Sequence, residues 1–314
     1  MTKALLLSAD ALQYRQLLGS VSTPWDLTTV ETVDQALLFC AETEVLLGDP
    51  NLLLPLVGRM PKLRWIQSSW AGVAPLVDAL QKQPQPGLTL TNIRGIFGPL
   101  MVEYVFAYLL GHERQLQAHW QSQRQRLWRG QRCGSLQAKT LGLLGLGSIG
   151  QDLAKAARLF GMQVVGCSRT APAAGLVDRH YSSAQLIELV AQVDYLVCTL
   201  PSTPQTQNLL GRSVFAQMKP TALLINAGRG DLIEDAALVD ALVQGQIAGA
   251  VLDVFRQEPL PQGHPFWTAP NLVITSHTAA PSYPANIAPI FIENMQRFEQ
   301  GLPLRFEVDL QRGY

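Results

Sequence analysis

The sequence predicts an α/β protein built from two doubly wound parallel sheets. Strand-like and helix-like segments alternate along the whole chain of 314 residues, a pattern typical of parallel strands covered by helices. Hydrophobic residues make up 47% of the chain and charged residues 15%, so a large core can be buried and disorder is not expected. A chain of this length is expected to form about two domains.

The strand-like segments form two sets with a long helical stretch between them. The first set consists of Lys3–Ser8, Trp25–Val30, Val45–Leu47, Leu63–Gln67 and Leu88–Asn92. The second set consists of Thr140–Leu144, Gln163–Cys167, Tyr195–Thr199, Ala222–Asn226, Ala248–Leu252 and Leu272–Thr275. Between the sets, Leu100 to Gln123 is predicted to be one helix that bridges two domains, because apolar residues recur on one of its faces. That face consists of Val102, Val105, Phe106, Leu109 and Leu110.

A last helix is predicted from Tyr283 to Glu299. We expect it to return to the first sheet, because no other element from the C-terminal part of the chain is predicted to pack on that sheet. The chain would then cross between the domains twice, near Arg94–Pro99 and near Ala280–Pro284. The predicted domains are residues 1–96 with 283–314, and residues 97–282, with a cleft between them.

A glycine fingerprint, Gly-x-Gly-x-x-Gly, joins the first strand of the second set to a helix-like segment. Gly145 permits the tight turn, Gly147 lets the backbone approach a pyrophosphate, and Gly150 lets the helix pack closely on the strand. The first turn of that helix, with Ser148 and Ile149, directs its free N–H groups and its positive dipole end at the phosphates. Because six strands run from this motif onward, the second domain is predicted to be a complete Rossmann sheet that binds a dinucleotide.

The end of the next strand indicates which dinucleotide is bound. An NAD site usually places an Asp or Glu about 20 residues past the glycines, where it accepts a hydrogen bond from the ribose 2′-OH. This chain has no acid there. Ser168, Arg169 and Thr170 instead offer two hydroxyls and a guanidinium, which suit a 2′-phosphate. The sequence therefore favours NADP over NAD; the alternative interpretation of Arg169 is a solvated surface arginine.

Charge and cysteine usage exclude several other classes of protein. The formal net charge is zero, with 24 basic and 24 acidic residues, so neither a nucleic acid nor an anionic membrane is expected as a partner. The four cysteines lack metal or redox spacing and are predicted to be reduced, mostly buried thiols: Cys40, Cys133, Cys167 and Cys198. No metal is expected. The apolar run Ala4–Leu7 is too short for a signal peptide or a membrane span, and a cytoplasmic location is expected.

Three polar residues follow strands of the second set. Arg229, Glu258 and His277 each lie beyond the carboxyl end of a strand, where ligands bind in open α/β sheets. An arginine fork can grip a carboxylate and polarise the neighbouring carbonyl. A histidine held cationic by a nearby carboxylate can supply a proton. Together these residues suit hydride chemistry on a 2-keto acid.

These motifs resemble the D-isomer-specific 2-hydroxyacid dehydrogenases over essentially the whole chain. The resemblance rests on the glycine fingerprint and on four further segments, Leu200–Thr206, Met218–Gly230, Leu252–Pro259 and Ser276–His277. Within the family the chain is most similar to the NADPH-linked glyoxylate/hydroxypyruvate reductase branch, through Ser168-Arg169 and the run His264–Trp267. The resemblance implies a Rossmann cofactor domain, a flavodoxin-like substrate domain and an active site in the cleft.

The resemblance also implies roles for single residues. Arg229 would bind the substrate carboxylate and keto oxygen, His277 would be the general acid/base, and Glu258 would pair with His277. Further cofactor contacts are implied for Leu200, Pro201, Ala227, Gly228, Asp253 and Ala279. Of these, Asp253 would contact the nicotinamide carboxamide, and Leu200 and Pro201 would border the adenosine ribose.

Three residues of the first domain are implied in substrate binding. The backbone N–H groups of Ala71 and Gly72 would hold the carboxylate. Trp70 has two open interpretations: a pocket wall that favours a small keto acid, or a plug in the interdomain core. The family resemblance also suggests a homodimer formed through the cofactor domain, with Gln121–Gly134 as a candidate arm.

The functional hypothesis is an NADPH-preferring reductase that converts a small keto acid, similar to glyoxylate or hydroxypyruvate, to the D-2-hydroxy acid. Two alternatives stay open. One is an NAD-linked D-2-hydroxyacid dehydrogenase with another substrate, and the other is a nucleotide-sensing binding protein of the same fold. The intact set of Arg229, Glu258 and His277 argues against the binding protein.

Overall fold

The structure, a computed structural model, describes residues 1–19 and 25–311. The chain divides into two compact units, Met1–Ile96 with Ser282–Tyr314, and Phe97–Pro281. The parts of the predicted domain ranges at positions 20–24 and 312–314 lie outside the described residues. Each unit contains one parallel sheet, so the predicted α/β fold class with two parallel sheets is confirmed.

The first unit contains a five-stranded parallel sheet in the order β2-β1-β3-β4-β5. Its strands are β1 (Lys3–Leu7), β2 (Asp26–Val30), β3 (Val45–Gly48), β4 (Trp65–Ser68) and β5 (Thr89–Thr91). All five were predicted, with their ends placed within two residues. Strands β1, β3 and β4 are buried almost throughout, as expected for parallel strands with both faces covered.

The second unit contains a seven-stranded sheet in the order β12-β11-β10-β9-β6-β7-β8. Its strands are β6 (Thr140–Leu144), β7 (Gln163–Cys167), β8 (Arg179–Tyr181), β9 (Tyr195–Cys198), β10 (Leu223–Asn226), β11 (Gly249–Leu252) and β12 (Leu272–Ile274). Every pairing is parallel. The strand order reverses between β6 and β9, which opens the crevice where such sheets bind ligands.

The expected count of six strands in this sheet was wrong by one. The seventh strand, β8, has three residues and pairs with β7 so that His180 lies opposite Gly166. Three residues are too few for a readable alternation of apolar and polar side chains. Only the pairing with β7 reveals this strand.

Eleven α-helices lie among the described residues. They are α1 (Ala11–Gly19), α2 (Val33–Leu37), α3 (Pro50–Leu53), α4 (Ala74–Lys82), α5 (Gly98–Glu113), α6 (Leu116–Arg124), α7 (Ser148–Leu159), α8 (Leu186–Val190), α9 (Arg212–Phe215), α10 (Asp235–Val243) and α11 (Pro284–Glu299). Short 3₁₀ turns span Leu54–Leu56, Ser183–Gln185, Gly230–Leu232 and Pro265–Thr268.

The predicted bridging helix is two helices, α5 and α6. Gln115 separates them with a left-handed backbone, φ 55°, and its side-chain amide donates to the His112 carbonyl at 2.9 Å. The predicted apolar face is correct, because Val105, Phe106 and Leu109 are buried against the second sheet.

The predicted last helix is α11, which begins one residue later than expected. It packs on the first sheet, where buried Asn294 donates to the Gln67 side chain on β4 at 3.0 Å. The rings of Phe291 and Phe298 lie against Trp65 of the same strand. The end of the chain therefore completes the unit in which the chain begins.

Side chains of the second sheet alternate between two apolar layers. Leu144, Leu196 and Leu224 belong to one layer, while Leu143 and Val197 belong to the other. This alternation follows the two-residue period of a strand. With both faces covered, the open carboxyl edge of the sheet is left for ligands. Within residues 1–19 and 25–311, no helix is both long and apolar enough to cross a membrane.

Candidate active site

The glycine fingerprint forms the turn between β6 and α7. Gly145 has φ 107°, a conformation that residues with a side chain rarely adopt, and its N–H donates to the Cys167 carbonyl at 3.0 Å. A Cβ atom on Gly150 would collide with the Gly145 carbonyl. Helix α7 therefore packs directly on the turn, and neither glycine can be replaced without displacing backbone.

Gly147 lies on the side of this turn that faces open space. It is the N-cap of α7, no side chain caps the helix, and a Cβ atom built on Gly147 would meet nothing within 4 Å. The helix begins with Ser148 and Ile149, in the first turn, where backbone N–H groups have no partner within the helix. An open space at a helix N-terminus fits a pyrophosphate, which the N–H groups and the helix dipole would bind.

The end of β7 presents the residues predicted to recognise a 2′-phosphate. Arg169 and Thr170 are exposed, and Ser168 is half-buried. The Ser168 hydroxyl donates to the Thr170 carbonyl at 2.7 Å and lies 3.1 Å from Nε2 of His180 on β8. The sequence interpretation missed this contact, because β8 itself was missed. His180 thus helps to fix Ser168 at the edge of the site.

Three predicted cofactor residues from different segments meet in one small apolar cluster. Ile149 of α7, Ala227 after β10 and Ala279 after β12 pack together with Met101 of α5. A fourth prediction, Gly228, lies against the Leu200 backbone, because a Cβ atom there would come within 2.8 Å of the Leu200 carbonyl oxygen.

The turn that bears Arg229 is held by Asn226, the last residue of β10. The fully buried Asn226 side chain accepts from the Gly228 N–H at 3.1 Å and donates to the Arg229 carbonyl at 2.9 Å. Asn226 was not among the predicted site residues. Its position at a strand end, followed by a glycine, is the signal that could have identified it.

The Arg229 side chain is mostly buried and lies among acidic groups. One guanidinium nitrogen donates to the Gly228 carbonyl at 2.6 Å. Burial lowers the pKa of Arg229, and the charges of Glu258 and Asp231 oppose that shift. The guanidinium stays cationic at any physiological pH, so the site keeps a desolvated positive charge that can bind a carboxylate.

Glu258 and His277 form a hydrogen-bonded pair beside this charge. Nδ1 of His277 lies 2.8 Å from Oε2 of Glu258. The other carboxylate oxygen, Oε1, accepts from the Phe255 N–H at 2.8 Å. Because a carboxylate only accepts, Nδ1 of His277 must carry the proton in this pair. Nε2 is then the ring nitrogen left to exchange a proton with a substrate.

Asp253, which is buried, organises the turn that bears His277. Its carboxylate accepts from the N–H groups of Thr278 at 2.8 Å and Ala279 at 3.0 Å, and from the Thr275 hydroxyl at 2.5 Å. Its carbonyl accepts from the His277 N–H at 2.8 Å. The expected contact of Asp253 with the nicotinamide carboxamide stays a prediction, beside this clamping role.

A tyrosine of α5 extends the same network. The Tyr104 hydroxyl lies 2.8 Å from the Thr275 hydroxyl. Burial raises the pKa of Tyr104, so this hydroxyl remains protonated. The contact was not predicted, because Tyr104 and Thr275 are far apart in the sequence.

The substrate residues predicted in the first unit lie between β4 and α4. Trp70 is 41% exposed, so its indole is not part of the core of its unit. Ser68 and Asn92 hold the loop: the Ser68 hydroxyl bonds with the Trp70 backbone, and the Asn92 amide donates to the Ala71 carbonyl at 2.9 Å. The N–H groups of Ala71 and Gly72 donate to no acceptor in the described part of the chain, and are available to an anion.

The second unit thus brings together Arg229, Glu258 and His277 at the carboxyl ends of β10, β11 and β12. Pro201 is exposed beside Leu200, after β9. The four cysteines are free, with all but Cys133 buried, as predicted. Among residues 1–19 and 25–311, no group of three or more His, Cys, Asp or Glu residues could hold a metal ion.

Comparison with known proteins identifies the family. The family model for the NAD binding domain of D-isomer specific 2-hydroxyacid dehydrogenases matches residues 106–279, more than half of the chain. The chain belongs to the D-isomer-specific 2-hydroxyacid dehydrogenases. This dehydrogenase is therefore an NAD(P)-dependent oxidoreductase, and the predicted family is confirmed.

Relatives agree with the branch that the motifs predicted. This dehydrogenase is 33% identical over 257 residues to glyoxylate/hydroxypyruvate reductase A of Yersinia enterocolitica, across 81% of this chain and 82% of that protein. A solved family member from Aeromonas salmonicida has a TM-score of 0.94 and 41% identity, over 98% of this chain and 99% of that one. An NADPH-dependent glyoxylate/hydroxypyruvate reductase from Sinorhizobium meliloti, solved with NADP and sulfate, has a TM-score of 0.87 and 27% identity over the full length of both chains.

Proposed function

We propose that this dehydrogenase is an NADPH-preferring reductase of a small 2-keto acid, similar to glyoxylate or hydroxypyruvate, and that it yields the D-2-hydroxy acid. The observation that carries the proposal is the 2.8 Å contact between His277 and Glu258. This pair lies on loops of the same unit as the mostly buried cation of Arg229. An acid–base pair beside an anion-binding cation is what the reduction of a keto acid requires.

Arg229 would bind the substrate carboxylate and polarise the keto carbonyl. Its planar guanidinium offers two parallel donors, and its desolvation strengthens both contacts. The N–H groups of Ala71 and Gly72 are proposed to bind the same carboxylate, and exposed Trp70 to limit the size of the keto acid. Bound nicotinamide would supply the hydride to the keto carbon.

His277 would supply the proton to the keto oxygen. Glu258 accepts from Nδ1, which fixes the orientation of the ring and leaves Nε2 for the substrate. Nε2 then donates its proton as the oxygen gains negative charge. In the reverse direction, the same nitrogen would accept the hydroxyl proton of the D-2-hydroxy acid.

The preference for NADPH is proposed from the end of β7. No acidic residue stands there to accept from a ribose diol. Arg169 and Thr170, next to Ser168, would donate to a 2′-phosphate. The Sinorhizobium meliloti relative, which binds NADP, supports this proposal. Leu200, Pro201, Ala227, Gly228 and Ala279 are proposed to line the rest of the cofactor site.

A panel of keto acids with NADPH and with NADH tests the proposal, by following cofactor absorbance. Glyoxylate and hydroxypyruvate should turn over, and larger keto acids should turn over more slowly. NADPH should give the higher kcat/KM. Chiral chromatography of the product from hydroxypyruvate should show the D-isomer. If no keto acid is reduced although NADPH binds, the protein acts as a nucleotide-binding protein instead.

A further inference from the structure

Arg256 connects three loops at the carboxyl edge of the second sheet. It lies two residues before Glu258, in the loop that follows β11. Its Nε donates to the Asp235 carboxylate at 3.2 Å. Its Nη2 contacts the Asp231 carbonyl at 3.3 Å, the Ile233 carbonyl and the Asn208 side chain. One guanidinium thus joins the loop after β11 to the loops after β9 and β10.

The backbones of two of these loops are in direct contact. A Cβ atom on Gly230, the residue after Arg229, would collide with the backbone at Phe255 and Arg256. The Phe255 N–H in turn donates to Oε1 of Glu258 at 2.8 Å. A continuous set of contacts therefore runs from the turn of Arg229, through the backbone at Arg256, to the carboxylate that holds His277.

The acceptors of Arg256 are themselves ordered by other contacts. The Asn208 N–H donates to the Asp231 carbonyl at 2.8 Å, and Leu210 pairs with Ile233 as an isolated β-bridge. Nε2 of His264 lies 3.3 Å from the second oxygen of Asp235. The groups that accept from Arg256 are therefore held in place by their own contacts. The guanidinium thus restrains the loop that carries Arg256.

We infer that Arg256 is a positioning residue for the reaction, because it fixes the loop of Glu258 against the loop of Arg229. The inference rests on the proposed function. It goes further in naming a residue that touches neither substrate nor cofactor and acts through the placement of Glu258. An arginine is needed because its fork serves the Asp235 carboxylate and the loop carbonyls at once, whereas a lysine amine serves fewer of them.

Kinetics of Arg256→Ala test this inference, with Arg212→Ala as the matched control. Arg212 forms an exposed ion pair with Asp240 between α9 and α10, at 2.5 Å, and takes no part in the contacts of Arg256. With a keto acid and NADPH, Arg256→Ala should lower kcat by about 10- to 100-fold, the effect of displacing a reacting group by about 1 Å. KM for NADPH should stay within about two-fold of the wild type.

The split between kcat and KM separates positioning from general stability. If Glu258 is no longer fixed on His277, kcat of Arg256→Ala should fall although KM for NADPH is unchanged. A kcat equal to that of Arg212→Ala would overturn the inference. Arg256→Lys should give an intermediate kcat. If Arg256→Ala fails to fold, Asn208→Gly is the second variant. It removes one acceptor of Arg256, and glycine readily adopts the backbone φ of 53° found at this position, so kcat should again fall.

Hydrogen exchange of the backbone amides tests whether Arg256 fixes the loops, without depending on catalysis. In the free protein, Arg256→Ala should raise exchange about 10-fold at residues 228–234 and 254–260, as expected when a charged hydrogen bond is lost. Unchanged exchange in both segments would overturn the inference. A wild type that reduces no keto acid would instead contradict the proposed function, and the exchange result would still decide the role of Arg256 in fixing the loops.

Discussion

His277 has a backbone φ of 56°, a left-handed conformation that costs a residue with a side chain about 1–3 kcal/mol. The hydrogen bonds of Asp253 to the turn and the hydrogen bond of His277 to Glu258 offset that cost. Such a conformation, held by the surrounding structure, is common at functional sites.

Removing the imidazole should nearly abolish catalysis without preventing cofactor binding. His277→Ala is expected to lower kcat for keto-acid reduction by about 10²–10⁴-fold, the usual contribution of a positioned acid. Fluorescence titration should give an unchanged Kd for NADPH. His119→Ala, which removes an exposed histidine on α6, is the control and should retain full kcat. Near-wild-type kcat in His277→Ala would remove His277 from the mechanism.

Neutralising Glu258 should lower the rate of keto-acid reduction. Its carboxylate accepts from Nδ1 of His277 at 2.8 Å and so fixes the orientation of the imidazole. In Glu258→Gln the shape is kept but the charge is lost, so kcat should fall by about 10- to 100-fold, the effect of a misplaced reacting group. Initial rates at saturating keto acid and NADPH measure this change. A wild-type kcat in Glu258→Gln would show that Glu258 does not act through His277.

Arg169 is expected to set the choice of cofactor. A charge-assisted hydrogen bond contributes about 1.5–3 kcal/mol, which corresponds to roughly 10- to 150-fold in affinity. Arg169→Ala should raise KM for NADPH by about that factor and leave KM for NADH nearly unchanged. Arg169→Asp should shift the preference to NADH, since the new acid repels a phosphate and accepts from a diol. Equal losses with both cofactors would instead indicate stacking of Arg169 on the adenine.

At the scale of elements, the turn between β6 and α7 combines two functions in its glycines. Gly150 faces the Gly145 carbonyl, and Gly147 faces open space. The first position maintains the packing of the helix on the strand, and the second keeps room for a ligand. Within one motif, Gly150 therefore affects the stability of the fold and Gly147 affects ligand binding.

Alanine substitutions should separate the effect on stability from the effect on cofactor binding. Gly150→Ala should lower the free energy of unfolding by about 1–3 kcal/mol, the usual cost of overpacking, even though alanine normally stabilises a helix. Gly147→Ala should change the free energy of unfolding by less than about 0.5 kcal/mol but raise Kd for NADPH at least 10-fold. Urea unfolding and cofactor titration measure both effects. Equal stabilities of the two variants would contradict this assignment.

At the scale of the whole molecule, the predicted arm has an unusual surface. Trp128 is fully exposed and Trp120 is 61% exposed, and Leu127 lies next to Trp128. Large apolar side chains grouped on a surface mark an interaction site more often than a solvated face. This surface lies in the stretch Gln121–Gly134 and on α6 beside it, where the family resemblance suggested a homodimer contact.

The homodimer prediction can be tested through this surface. Trp120→Ser with Trp128→Ser should weaken association, so that sedimentation equilibrium shows a larger monomer fraction than in the wild type at the same concentration. Leu159→Ser is the control, because Leu159 is also highly exposed, at the end of α7, and lies outside the arm. A wild type that is monomeric at all concentrations would contradict the prediction, as would equal masses for variant and wild type.

The sequence alone determined those features that depend on neighbouring residues. Strand periods predicted eleven of the twelve strands found in residues 1–19 and 25–311, with ends placed within two residues, because apolar runs bounded by turns are local signals. The glycine spacing predicted the turn at Gly145, and the order of strands placed Arg229, Glu258 and His277 at strand ends. In a parallel sheet the carboxyl ends share one edge, so their convergence followed from topology.

Only the tertiary structure decided which distant residues touch. Strand β8 is recognised only by its pairing with β7. The helix predicted across Gln115 ends there, although Gln115 is neither a proline nor a glycine and glutamine is a good helix former. Asp253 reaches Thr278 and Ala279, and Arg256 reaches Asn208 and Asp235, across 21 to 48 positions. The physical reason is that such bonds depend on how loops from separate strands pack together, and no period within one segment encodes that packing.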